Sequence, residues 1–389
     1  DGSSQTAFTG NTNTTIFGIG GTVGTDAIAL AQVDGPEIEI VDASSAGTLK
    51  WGIMATERDF IIHDVAIHSF GNDWFIWDNA NLAARGNAHN FEAYNCVLGS
   101  EAHAAQAPTN GVNGGPNFQA LSVDNGKFHH NFVAYGETMG GFLRTGCTDW
   151  DIYQNDFAFN ALDDAICDGL DVADFCEDNI IRENIFRNNG GNGFDSYNGT
   201  GAYLVENNTS VNNGLKNVET NGMRIYGAYG DTIRKNIIKD NVGAGILVTS
   251  GAKKHFITEN SMFNNGNVLP SAVPAVVNVK NQIAIDLLAS NENHKVGSAP
   301  YITTNDNNDN DAGGNELQNF PVIDAAYFNN GNLVVKGFAP AGALVEFFTA
   351  DLYSGAVMPQ GKTFLFSATE GSANDADAST GSYGPGLIN

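Results

Sequence analysis

The stretch NIIRENIFRNNG, residues 179–190, is too polar for a fully buried strand and too apolar for a loop, and it recurs along the chain. FEAYNCVLGS, HHNFVAYG, IYQNDFAFNA, YLVENNTSVNN, TIRKNIIKDN and FITENSMFNN superpose on it through one asparagine: Asn95, Asn131, Asn155, Asn184, Asn207, Asn236 and Asn260. The spacings are 36, 24, 29, 23, 29 and 24 residues, and FIIHDVAIHSF places Asp64 at the same point one step earlier. Units of this length with period-2 alternation suit a parallel β-helix, in which each coil lays short strands on the coil before it. Asparagine suits the corner between strands, because it tolerates left-handed backbone and its amide can bond the equivalent amide about 4.8 Å along the axis. Stacking is therefore expected for Asn131, Asn155, Asn184, Asn207, Asn236 and Asn260. Right-handedness follows from the chirality of parallel crossovers.

Within DTIRKNIIKDN, alternation puts Ile233 and Ile237 on one side and Arg234 and Lys239 elsewhere. A second shared signal lies in GGFLR, DAICD, NGFDS, NGMRI and AGILV, where a small or turn residue precedes an in-out-in strand. That register sends Phe142, Ala165, Phe194, Met223 and Ile246 into the core. A leucine-rich repeat would also have such a period, but its leucine frame is missing.

Lys and Arg number 18 against 44 Asp and Glu, a net charge of −26, so the long-range field repels nucleic acid and anionic membranes. No apolar run approaches the ~20 residues needed to span a bilayer. The opening DGSSQTAFTG carries no visible secretory signal, as expected of a mature or excised product. Of four cysteines, Cys167 and Cys176 bracket an acidic excursion that a disulfide could staple, while Cys96 and Cys147 read nearly as well as buried thiols.

The expected organisation is a cap with first coils over 1–50, β-helix over 51–300, an Asp/Asn-rich junction over 301–320, and a C-terminal β module over 321–389. In the last, NLVVKGF, ALVEFFT and KTFLFSA read as antiparallel strands, too few for a complete sandwich. The polypeptide is thus expected to belong to a longer chain.

GPEIEIVD, GIMATERDFIIHDVAIHSFGN, the asparagine coils, NDNNDNDAGGNELQNFPV and VEFFTADLYSGA resemble the right-handed parallel β-helix repeat proteins of bacterial cell surfaces, of the Bacteroidetes type. The resemblance covers nearly the whole chain. It implies a secreted, adhesin-like surface protein in which an Ig-like or other β module follows the β-helix. It carries no catalytic residue set.

If the register holds, the outward positions of successive coils are Leu143 and Thr145, Ile166 and Asp168, Asp195 and Tyr197, Arg224 and Tyr226, Leu247 and Thr249. Asp168, Asp195 and Arg224 would then form a ladder beside a stacked Tyr197–Tyr226 pair, a platform able to hold a sugar through ring contact and charged hydrogen bonds. The bland alternative is a solvated face with Asp195 and Arg224 paired across strands. In NALDDAICDGLDVADFCEDN, Asp163, Asp164, Asp168 and Asp171 could supply oxygens to Ca2+, as could Asp306, Asp309 and Asp311 at the junction. His129 and His130, read as neighbours on one strand, should face opposite ways, one of them as stacking filler.

Two functions are weighed. One is a noncatalytic extracellular module that binds a polysaccharide or cell-surface glycan, or spaces such a site from the surface. The other is a lyase, epimerase or glycoside hydrolase using Asp168, Asp195 and Arg224, since Asp168 and Asp195 one coil apart would approach the ~5 Å of a retaining pair. No membrane insertion is expected.

Overall fold

The computed structural model describes residues 38–43, 49–77, 89–101, 107–108, 114–161, 167–199, 201–216, 218–266, 282–306, 311–351, 358–373 and 375–376. These residues form an all-β, right-handed parallel β-helix with short antiparallel strands near the C-terminus. Three parallel sheets run along it. Sheet A has nine strands, from Ile38–Val41 to Ser261–Phe263, and sheet B nine, from Trp51–Ala55 to Ile285–Leu287. Sheet C has eight, from Ile61–His63 to Phe256–Thr258. Each full coil visits C, then A, then B.

Alternation sends every second side chain inward, one from a three-residue strand and two from a four-residue strand such as Met223–Tyr226, and the parallel register repeats the choice coil after coil. Phe128, Ile152, Ile181, Val205 and Ile233 line up from sheet C, each wholly buried. Phe157, Phe186 and Ile238 come from sheet A, and Phe194, Met223 and Ile246 from sheet B. Burying one such side chain contributes about 1.5–3 kcal/mol, so the stack is the main source of stability. The expectation for Ile237 fails: it is half-buried, and Ile238 enters the core instead. The corner at Asn236 interrupts the alternation, so the inward parity restarts after it.

The asparagine column exists with one substitution in its membership. Asn131, Asn155, Asn184, Asn208, Asn236 and Asn260 each sit in the interior, and each of the first five donates its Nδ2 to the Oδ1 of the next at 2.9–3.1 Å. The backbone N–H of each of these five donates to the same oxygen. Asn207 is not a member. It occupies the preceding corner position at φ +56, in the row of His130, Gln154, Glu183, Lys235 and Glu259, all of positive φ. Asn95 and Asp64 stand in that row as well, and Cys96 takes the column's place by donating its N–H to Asn131 Oδ1 at 2.9 Å. Both positions favour asparagine, one for left-handed backbone and one for the amide, so the doublet Asn207–Asn208 allowed a slip of one.

A second column escaped the sequence reading. Asn160, Asn189, Asn213, Asn241 and Asn265, each five residues after a member of the first, bond in the same way at 2.9–3.2 Å. The third corner is tied by mixed side chains. Trp150 N–H donates to Asn179 Oδ1, Tyr203 N–H to Asp231 Oδ1, Asp231 N–H to His255 Nδ1, and His255 N–H to Asn315 Oδ1.

All four cysteines are free and buried, so no disulfide staples the 167–176 segment. The strand Leu170–Ala173 runs between Cys167 and Cys176, and at about 3.3 Å per residue it holds them beyond disulfide reach. Cys176 instead stacks on Cys147, whose N–H donates to its sulfur at 3.2 Å.

The C-terminal strands pair as two separate hairpins, Val322–Asn329 with Asn332–Phe338 and Leu344–Asp351 with Gln360–Thr369. The second covers the open edge of the last coil: Glu346 accepts from the Glu259 N–H and from the Thr258 hydroxyl, and the Lys362 carbonyl accepts from the Ser261 hydroxyl. An unpaired solenoid edge would otherwise present free backbone groups.

Candidate functional site

The site is built on the outer face of sheet B. Register pairs Asp171 with Asp195, Asp195 with Arg224, Arg224 with Leu247 and Leu247 with Asp286, while Tyr197 pairs with Tyr226. Phe194 and Met223 point inward as expected, so Asp195, Tyr197, Arg224 and Tyr226 lie on the outer face.

Two register expectations fail. Asp168 is not the coil neighbour of Asp195; that place belongs to Asp171, and Asp168 precedes the strand, accepting from the Asn192 N–H at 2.5 Å. Further back, Leu143 is buried in the core and Phe142 is half-buried on the outer side, the reverse of the reading. The core-facing place there belongs to Gly141, where an added Cβ would meet Leu170 Cδ1 at 2.8 Å and Phe157 Cε1 at 3.2 Å. A glycine at an inward position leaves no apolar side chain to mark it, so the next residue was read as the inward one. Ala165 and Ile166 lie outside the described residues.

Asp168, Asp195 and Glu219 are each 1% exposed, and they bring one ligand oxygen apiece to within 4.8 Å of one another. Arg224 lies among them. Its Nε donates to Asp195 Oδ1 and Oδ2 at 3.1 and 3.2 Å, its Nη2 donates to Asp195 Oδ2, and its Nη1 donates to Glu219 Oε1 at 2.6 Å. A bidentate guanidinium–carboxylate pair of this kind fixes both planes. Burial opposes the Arg224 charge, but Asp195 and Glu219 outweigh it and raise its pKa. Burial raises the carboxyl pKa of Asp168 and of Asp171, with the Asp195 charge reinforcing both. Burial also raises Glu219.

Outward side chains are buried here because chain segments cover them. Asn221 Nδ2 donates to the Lys295 carbonyl at 2.9 Å, Gln282 Nε2 donates to the Val296 carbonyl at 2.7 Å, and Lys295 Nζ stands 4.0 Å from Glu219 Oε1. Glu219 was missed in the sequence, although a signal exists. From the second asparagine column to the next inward residue of sheet B is five residues for Asn189 to Phe194 and for Asn241 to Ile246, but ten for Asn213 to Met223. The extra residues deliver Glu219, whereas Asp168 holds a regular place two residues before the inward Leu170, as Asn192 does before Phe194 and Asn221 before Met223.

Tyr197 and Tyr226 stack with centroids 4.7 Å apart and planes at 14°. Both remain half-buried. Their facing surfaces are occupied by each other, and His294 meets Tyr226 edge-on at 5.5 Å. The Arg224 guanidinium lies 5.9 and 5.6 Å from the two ring centres. What the pair offers a ligand is its rims, its hydroxyls and the outer face of Tyr197, whose neighbour one coil back is the small Ala173.

The other candidates are not brought together. Asp163, Asp164 and Asp309 lie outside the described residues. Asp306 exchanges backbone bonds with the Asn319 amide at 2.9 Å, and among the described residues neither it nor Asp311 joins a three-ligand group. His130 is a corner residue at φ +56 rather than a strand residue, which swings its ring alongside His129 instead of opposite, with Nδ1 atoms 2.8 Å apart. His129 is the stacking member, between Tyr94 and Tyr153 at 5.2 and 4.5 Å.

Residues 160–274 match the family model described as "Periplasmic copper-binding protein (NosD)". The carboxylate cluster does not suit copper: it offers oxygen donors alone, whereas copper favours imidazole and sulfur. No curated protein sequence matches the chain. Among solved structures, the A-module of a mannuronan C-5 epimerase from Azotobacter vinelandii is 18% identical with a TM-score of 0.45, spanning 58% of this chain and 69% of that one. A pectate lyase is 12% identical with a TM-score of 0.37, spanning 70% and 84%. The tailspike protein of an E. coli bacteriophage, in complex with a pentasaccharide, is 15% identical with a TM-score of 0.25, spanning 62% and 52%. No helix among the described residues is long and apolar enough to cross a membrane.

Proposed function

We propose that this chain is an extracellular β-helix module of a larger surface protein, and that it binds polysaccharide on the outer face of sheet B at Tyr197 and Tyr226. The observation that carries this reading is the stacked, half-exposed tyrosine pair standing on a buried Asp195–Arg224 bidentate bridge in adjacent coils. The bridge holds the two strands and therefore the two rings, so little side-chain freedom is lost when a ligand arrives. Aromatic surface contacts the apolar face of a pyranose while the phenol hydroxyls bond its hydroxyls. A glycan array screened with the chain and with Tyr197→Ala tests it: retention on specific polysaccharides, weakened in the variant, is the expected result, and no retention on any polysaccharide overturns it.

The clustering of Asp168, Asp195 and Glu219 favours a second reading as a polysaccharide-cleaving or epimerising enzyme. A carboxyl held neutral by burial, as burial favours at Asp168, is what a general acid requires. The cover at Lys295 and Val296 must then open to admit substrate. Reducing-end and unsaturated-product assays on the retained polysaccharides distinguish the two readings, since binding without products favours the module.

A further inference from the structure

Four carboxylates, Asp168, Asp171, Asp195 and Glu219, are each at least nine-tenths buried around a single buried arginine. Lys295 stands at the margin, and its Nζ reaches Glu219 Oε1 only at 4.0 Å. If all four carboxylates were ionised, Arg224 and Lys295 would leave two negative charges uncompensated in a low-dielectric site, a costly arrangement. Arg224 spends its contacts on Asp195 and on one oxygen of Glu219. Glu219 Oε2 and Asp171 Oδ1 are buried and have no hydrogen-bond partner. Asp171 is 6% exposed, lies on the same outer face, and is the coil neighbour of Asp195, so its orphan oxygen belongs to the same charged pocket.

We propose that Asp168, Asp195 and Glu219 form a site for one hard divalent cation of the Ca2+ class, with Asp171 as a further oxygen donor. Hard cations take carboxylate and amide oxygens, and ligand oxygens within 4.8 Å of one another can share one ion at 2.3–2.6 Å bond lengths. The site differs from the acidic-loop site expected from sequence, because Asp195 and Glu219 come from later coils. It is independent of the polysaccharide reading.

The charged groups around the ion are the four carboxylates, Arg224 and Lys295, with Tyr197, Tyr226 and His294 at the rim.

The test is calorimetric titration of the chain with CaCl2 at pH 8 for the wild type, Glu219→Gln and Asp168→Asn. The expected result is one ion per chain and at least tenfold weaker binding in both variants. Absence of calcium binding at pH 8 overturns the proposal, as does binding of wild-type strength in both variants, which would put the ion elsewhere. Should the variants fail to fold, terbium in place of calcium decides. Its emission, sensitised by nearby tyrosine, should fall severalfold in the doubly substituted Tyr197→Phe, Tyr226→Phe chain, and unchanged emission overturns the site.

Discussion

Gln360, on the C-terminal hairpin, takes the next place after Asn265 in the second asparagine column: its Oε1 accepts from the Asn265 N–H at 3.1 Å and from Nδ2 at 3.0 Å. Its Nε2 returns a bond to the Asn265 carbonyl at 2.8 Å. A residue 95 positions away thus continues the solenoid's own bonding pattern and ends it. Gln360→Ala strands buried donors at the column's end and should cost about 1–3 kcal/mol. Urea unfolding checks this, and an unmoved midpoint would mean that the hairpin caps by apolar contact alone.

The paired substitutions Asn207→Ala and Asn208→Ala separate the corner from the column. Asn208 loss breaks buried bonds to Asn184 and Asn236 and should cost about 3 kcal/mol. Asn207 loss replaces a left-handed residue and should cost about 1–2 kcal/mol. Equal effects in thermal or urea melts would argue against the column's membership.

Tyr197→Ala should weaken polysaccharide binding by roughly 0.5–2 kcal/mol through lost ring contact, with Tyr226→Ala in the same range. Stability should change little, since these half-exposed rings leave no enclosed cavity. Affinity measurements on whichever polysaccharide the array retains provide the check. If Asp195 is catalytic, Asp195→Asn should abolish product formation in the same samples.

Asp286 sets a pH dependence. Burial pushes its carboxyl up to about 8, with the Glu292 charge adding to the effect. Its unfolded value is about 3.9, so across that interval the folded chain holds a proton that the unfolded chain has lost. Stability therefore falls as pH rises from about 4 to about 8, and levels off above. Asp286→Asn should flatten Asp286's share of that fall and yield the more stable chain at pH 8, as melts across pH 4–9 would show. A variant whose profile parallels the wild type would contradict the assignment.

The recurring strand in NIIRENIFRNNG was enough to establish the parallel solenoid, because stacking demands that each coil repeat the chemistry of the last. The same repetition revealed one asparagine column and the Tyr197–Tyr226 and Asp195–Arg224 pairs, all of which depend on register between neighbouring coils. Sequence also carried the second column and the insertion, at a fixed five-residue offset and a doubled spacing that the reading did not use. Parity was decided only in three dimensions: Asn207 against Asn208, Ile237 against Ile238 and Leu143 against Phe142 turn on corners or on an inward glycine that pattern alone does not mark. The burial of Asp195 and Arg224 was likewise a tertiary outcome. Outward alternation places a side chain off the core, but whether it meets water depends on a distant segment, here the one carrying Lys295 and Val296, folding back over the face. Glu219 joins Asp168 and Asp195 for the same reason, since residues of three different coils meet only when the solenoid stacks those coils.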